Sequence, residues 1–140
     1  MTAAGFRRVA LSMPEATESE HQGHPDFRVK GKIFATLFSR DGEDWGMVKL
    51  SPEQQADVVD AAPAIFAPLQ GGWGRRGCTR VCLGAVDGKF LTVLRDAIFT
   101  AWCNTAPERL VAEQGRASEN RRGLFPEPER PSKPRSTRRT

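Results

Sequence analysis

The segment His21-Gln22-Gly23-His24-Pro25-Asp26-Phe27-Arg28-Val29-Lys30-Gly31-Lys32-Ile33-Phe34-Ala35-Thr36-Leu37 constrains the fold of this chain more than any other. Phe27 to Lys30 alternates apolar and basic residues, Gly31 supplies a turn, and Ile33 to Phe38 is apolar on both faces apart from Thr36. Alternation, a turn and a second extended run together predict a β-hairpin. A strand that is apolar on both faces belongs inside a sheet covered on at least one side. Asp41-Gly42 marks the next turn, and Trp45 to Leu50 reads as the third strand of a meander.

Helix signals surround this core. Phe6, Val9, Ala10 and Met13 make an apolar stripe that predicts a first helix from near Thr2 to Ser12, stopped by Pro14. Glu15, Glu18 and Glu20 fill the connection to the hairpin. Ser51-Pro52-Glu53-Gln54 is the clearest boundary in the chain, with a serine cap, a proline whose missing donor would be orphaned anyway, and a glutamine completing a capping box. Val58, Val59 and Ala62 are the expected buried edge of that helix, and Pro63 closes it. Gly71 to Gly77 reads as a glycine-rich loop, followed by a strand over Cys78 to Leu83. Asp87 is the expected cap of the longest helix, whose Phe90, Leu94, Ala97, Ile98, Ala101 and Trp102 recur with the period of a face packed on a sheet. Thr105-Ala106-Pro107-Glu108 starts a short final helix through Leu110 and Val111. The order α-β-β-β-α-β-α-α predicts the α+β class, a mainly antiparallel sheet with helices packed on one face.

The 140 residues are enough for one domain. Their formal charge of +4 is unevenly placed: residues 1–115 hold 13 basic and 14 acidic side chains, residues 116–140 hold 8 and 3. The basicity therefore belongs to a Pro- and Arg-rich tail with little to bury, expected to be disordered. It is either a solubilising terminus or an arm that touches polyanions. Cys78, Cys82 and Cys103 are an odd number with no secretory leader in view, which predicts reduced thiols and a cytoplasmic protein. No segment approaches membrane-spanning length.

In order along the chain stand Phe6-Arg7-Arg8-Val9-Ala10-Leu11, Met13-Pro14-Glu15, Gly23-His24-Pro25-Asp26-Phe27-Arg28-Val29 and Gly31-Lys32-Ile33-Phe34-Ala35. After them come Ser51-Pro52-Glu53, the Trp73 segment, Ala101-Trp102 and Ala106-Pro107-Glu108-Arg109-Leu110. This ordered set, over residues 1 to about 113, resembles the MmcQ/YjbR family of small bacterial proteins. The resemblance implies a CyaY-like arrangement and a double-wing mode of DNA binding, in which two hairpin-like projections flank the double-stranded duplex.

The residues offer candidates for such wings. Arg28 and Lys30 are expected on one face of a strand with Lys32 just across the hairpin, while Arg75, Arg76 and Arg80 surround the second glycine-rich segment. Cations along projecting backbone suit phosphate contacts, which position a protein on DNA without reading sequence. Solvated charges that discourage edge pairing are the alternative. Trp73 among glycines can stack on a base or fold back over the core, whereas Trp45 and Trp102 are expected in the core.

His21 and His24 near acidic residues suggest a metal, but an extended His-x-x-His fixes no coordination geometry and no third ligand is assignable. A structural hydrogen bond from His24 at the start of the strand is the simpler expectation. Cys78 and Cys82 on one strand are roughly 13 Å apart, too far to share a zinc or a disulfide. No nucleophile stands beside a base, and the glycine-rich stretch is neither a P-loop nor a dinucleotide fingerprint. The expectation is a non-enzymatic domain, without cofactor or metal, that binds DNA weakly through hairpin cations with help from the tail. The rival is a protein- or small-ligand-binding module using the sheet face or the Trp73 loop.

Overall fold

Three Xaa-Gly pairs, Gln22-Gly23, Lys30-Gly31 and Asp41-Gly42, have positive φ at both residues, at 51° and 81°, 52° and 81°, and 55° and 77°. This is the hairpin geometry whose twist matches that of the flanking strands. In the computed structural model, which describes residues 1–115, these turns join β1 (Ala16–His21), β2 (His24–Val29), β3 (Lys32–Arg40) and β4 (Glu43–Lys49) into a meander. The predicted tail, residues 116–140, lies outside the described residues. With β5 (Phe66–Pro68) and β6 (Cys78–Cys82) the strands form one antiparallel sheet in the order β1-β2-β3-β4-β6-β5.

The α+β class is as predicted, but the described residues form six strands where the sequence reading expected four. The acidic connection is β1, the outer edge strand. None of its residues is buried, so it carries no hydrophobic alternation, and its charges suit an edge that must not pair further. The other omission, β5, is three residues long and ends in Pro68, which an edge strand tolerates.

The helices are α1 (Ala3–Leu11), α2 (Pro52–Ala61), the single turn α3 (Gly72–Arg75), α4 (Leu91–Thr105) and α5 over residues 108–115. The Ser51 capping box is present: Ser51 Oγ accepts from the Gln54 amide at 3.1 Å, and Gln54 Oε1 accepts from the Ser51 amide at 2.8 Å. The expected buried edge of α2 is not. Val58 and Val59 are only half-buried and Ala62, just past the helix end, is the buried residue, because α2 packs against the short β5 and β6 at the margin of the sheet. Asp87 caps a 3-10 turn over Gly88–Phe90, accepting from the Lys89 amide at 3.0 Å, and α4 begins after that turn. Met1–Glu108 form one compact unit and Arg109 opens a second, in which Arg109 Nη1 lies 3.9 Å from Glu113 Oε2. No helix among the described residues is long and apolar enough to cross a membrane.

One face of the sheet takes α1 and α4. Phe27, Ala35 and Val48 are paired in register across β2, β3 and β4, as are Leu37, Gly46, Val81 and Phe66 across β3, β4, β6 and β5. Against them pack Phe6 and Ala10 of α1 and Leu94, Ala97, Ile98, Ala101 and Trp102 of α4, all buried. Phe6 fills the space above Gly46, where an added Cβ would stand 2.7 Å from its ring. Successive side chains alternate faces and cross-strand partners share one. Asp26, Thr36, Met47 and Arg80 therefore point the other way, together with Trp45, Phe38 and Lys49.

Candidate functional site

That second face is a concave wall rather than a second core. It bounds a cavity of about 670 Å³ with Thr36, Met47 and Cys78 on its floor, His21 and His24 on one side, and Trp73 on the other. Arg40, Lys49 and Arg80 also line it. A second cleft of about 450 Å³, lined by Arg28, Lys32, Lys49 and Asn104, adjoins it through the shared Ile33 and Lys49.

The predicted wing cations divide into bound and available ones. Arg28 is bound: its Nε and Nη2 donate to Asp26 Oδ1 and Oδ2 at 2.8 and 3.0 Å. Lys30 does not share a strand face with Arg28, as the alternation suggested. It is the first central residue of its turn, at φ 52°, and its Nζ lies 2.7 Å from Glu15 Oε1. The acidic connection is thus folded onto the protein's own cations, for Glu18 likewise takes Arg7 at 2.9 Å. Lys32, Arg40, Lys49, Arg75, Arg76 and Arg80 make no ion pair among the described residues.

The aromatic residues separate in the same way. Trp102 is fully buried and its Nε1–H donates to the Pro14 carbonyl at 3.0 Å. Trp45 is only half-buried, which corrects the core placement expected for it: it lies on the cavity face with the Arg80 guanidinium 4.9 Å above its ring centroid. Trp73, on α3 within the segment predicted as a loop, stays 60% exposed, with the Arg76 guanidinium 5.3 Å from its ring centroid.

Asp26 is fully buried at the edge of this face, under Arg28 and His21. His21 Nδ1, not His24, makes the histidine hydrogen bond of this segment, 2.8 Å from Asp26 Oδ2. Because an ionised carboxylate only accepts, Nδ1–H is the donor in this hydrogen bond. The two hydrogen bonds from Arg28 are the main cause that holds the Asp26 carboxyl below the ordinary value of 3.8; burial opposes them and His21 assists them. With the folded value depressed, this carboxylate stabilises the protein fully above the ordinary range, and its contribution is lost as pH falls through the folded value. Asp26→Asn is expected to lower stability by on the order of 2 kcal/mol at neutral pH. In urea unfolding, the gap between wild type and variant should narrow below about pH 4. A gap that is constant with pH would contradict this assignment.

Burial raises the Cys78 thiol against the nearby Lys49 and Arg76 charges, and pushes Cys103 up to about 11, so both thiols are protonated at neutral pH. All three cysteines are free, and among the described residues no group of three or more His, Cys, Asp or Glu side chains could hold a metal ion.

The sequence reading missed Arg40 and Lys49. The available signal was strand alternation, which puts Trp45, Met47 and Lys49 on one face, but only the register brings Met47 beside Arg80 and Arg40 onto the same side.

An antiparallel sheet covered by helices on one face and opening on the other into a cationic, aromatic-flanked cavity defines a small α+β protein with a sheet-borne site. The chain belongs to the YjbR family, whose model matches residues 11–104. The crystal structure of a Deinococcus radiodurans protein with a DUF419 domain is similar at a TM-score of 0.57 and 21% identity, over 94% of each chain. A Pseudomonas syringae protein structure gives a TM-score of 0.48 at 14% identity, over 70% of this chain and 96% of that one. No curated protein is detectably similar in sequence.

Proposed function

We propose that this protein binds nucleic acid weakly and without reading its sequence, on the open face of the sheet rather than on its hairpin tips. One observation carries the reading: the open face gathers Arg40, Lys49 and Arg80, none ion-paired among the described residues, while Glu18 and Glu20 of β1 pair in register with residues of the helix-covered face. A polyanion meets cations there with Glu43, opposite Arg40, as the carboxylate on the same face and without facing Glu18 or Glu20, and phosphate contacts of this kind position without specifying. Two of the three cations of the first predicted wing, Arg28 and Lys30, are engaged by Asp26 and Glu15, while Lys32 makes no ion pair among the described residues. The protonated Cys78 and Cys103 thiols support a binding role over a nucleophilic one. Free cysteines fit a reducing compartment such as the cytoplasm.

The test is an anisotropy titration of fluorescein-labelled DNA, single-stranded and duplex, with the full chain across a salt series. Arg40, Lys49 and Arg80 replaced together by alanine should weaken binding at least about tenfold and flatten the salt slope by roughly 2 to 3, because each lost phosphate contact removes about one released counterion. Lys30→Ala should change little. Equal affinity and slope in the triple variant would overturn the reading.

The volume of the cavity favours one other reading, a site for a small anionic ligand, since about 670 Å³ lies in the range of small-molecule pockets. That reading expects nucleic-acid affinity that does not depend on these three cations.

A further inference from the structure

We infer that the nucleic acid this face accepts is single-stranded, with an unpaired base on Trp73 and the backbone passing Arg80, Lys49 and Lys32; this rests on the nucleic-acid reading above. The first support is how firmly Trp73 is presented. The residue is 60% exposed, yet its turn is pinned. An added Cβ on Gly74 would fall on the Leu69 carbonyl, and Gln55 Nε2 donates to the Gly74 and Cys78 carbonyls, each at 3.0 Å. An exposed aromatic side chain on a pinned backbone turn, with the Arg76 guanidinium 5.3 Å from its ring centroid, offers a stacking platform whose backbone loses little freedom on binding. His21 and His24, their rings 6.2 Å apart, line the opposite side of the cavity, so flat rings flank it on both sides.

The second support is continuity of charge. Lys49 lines both cavities, so the cations that make no ion pair among the described residues adjoin one another, from Arg80 and Lys49 on the open face to Lys32 at the turn that borders the second cleft. The third is the chemistry of the ligand. A duplex shows base faces only at its ends, whereas every base of an unpaired strand can stack, and stacking is tolerant of sequence. A cavity sized for one small molecule has room for an unpaired nucleotide and none for a duplex.

The test uses the full chain, a labelled oligothymidylate of about twelve nucleotides, and the same strand annealed to its complement. The single strand is expected to bind at least about tenfold tighter than the duplex at equal salt. Trp73→Ala should weaken single-strand binding by about 5- to 150-fold with the salt slope unchanged, and Trp73→Phe should recover most of the loss. If the duplex binds as tightly, or if Trp73→Ala leaves single-strand affinity unchanged, the inference falls while the nucleic-acid reading stands. If neither form binds, both fall.

Discussion

Gly77→Ala is expected to destabilise the protein by about 3 to 5 kcal/mol, combining left-handed backbone strain with overpacking. Gly77 has φ 114°, and a Cβ there would fall on the Leu50 carbonyl oxygen. The backbone cannot withdraw, because the Gly77 carbonyl accepts from the Leu50 amide at 3.3 Å and from Thr79 Oγ1 at 2.8 Å. These contacts tie the end of β4 to the start of β6, where Trp73 and Cys78 are placed around the cavity. Against a total stability of about 5 to 15 kcal/mol, such a loss is expected to lower the melting temperature by more than about 12 °C, or to prevent folding. Gly84, with open space around it and no positive φ, is the control: Gly84→Ala should stay within about 0.5 kcal/mol of wild type. Thermal unfolding followed by circular dichroism checks both, and equal melting temperatures would refute the steric argument.

Trp102→Ala carries the other large expected loss, about 3 to 5 kcal/mol, because it empties a fully buried site between α4 and the sheet and orphans the Pro14 carbonyl. Trp102→Phe keeps a ring beside Phe99, which is stacked on Trp102 at 5.7 Å and 15°, and should cost less. Trp73→Ala, at the exposed extreme, should leave stability within about 0.5 kcal/mol. Urea unfolding of the three variants should therefore order them Trp102→Ala, Trp102→Phe, Trp73→Ala by decreasing loss. A large loss in the last would place Trp73 in the core and remove the basis for reading its binding effect as stacking.

Local signals made the strands and caps around the core legible. The turns at Gly31 and Asp41-Gly42 and the Ser51 capping box rest on contacts between residues a few positions apart, and the period of α4 repeats within one or two turns, so the pattern along the chain carries them, although Lys30 lies in the turn and not in the strand. β1 was not legible, since an edge strand exposed on both sides has no reason to alternate, and its hairpin is marked only by Gln22-Gly23. The candidate site was legible in part. Trp73 and Arg80 were identified from sequence and both line the cavity, but Arg40 and Lys49 were not, and the commitment of Arg28 to Asp26 was invisible in the pattern of charges.

The sequence alone determined the α+β class, which follows from short-range periodicity and turn signals, and the family resemblance, which follows from an ordered set of short segments. Only the tertiary structure decided which cations are consumed and which make no ion pair among the described residues, because ion pairing depends on separations of a few ångströms that register sets. The two-residue turns align β1 against β2 so that His21 reaches Asp26, and the β4–β6 register sets Arg80 beside Met47 and over Trp45. Pairing energies change over ångströms, while sequence patterns specify only faces, so the site emerged from the sheet rather than from any segment of the chain.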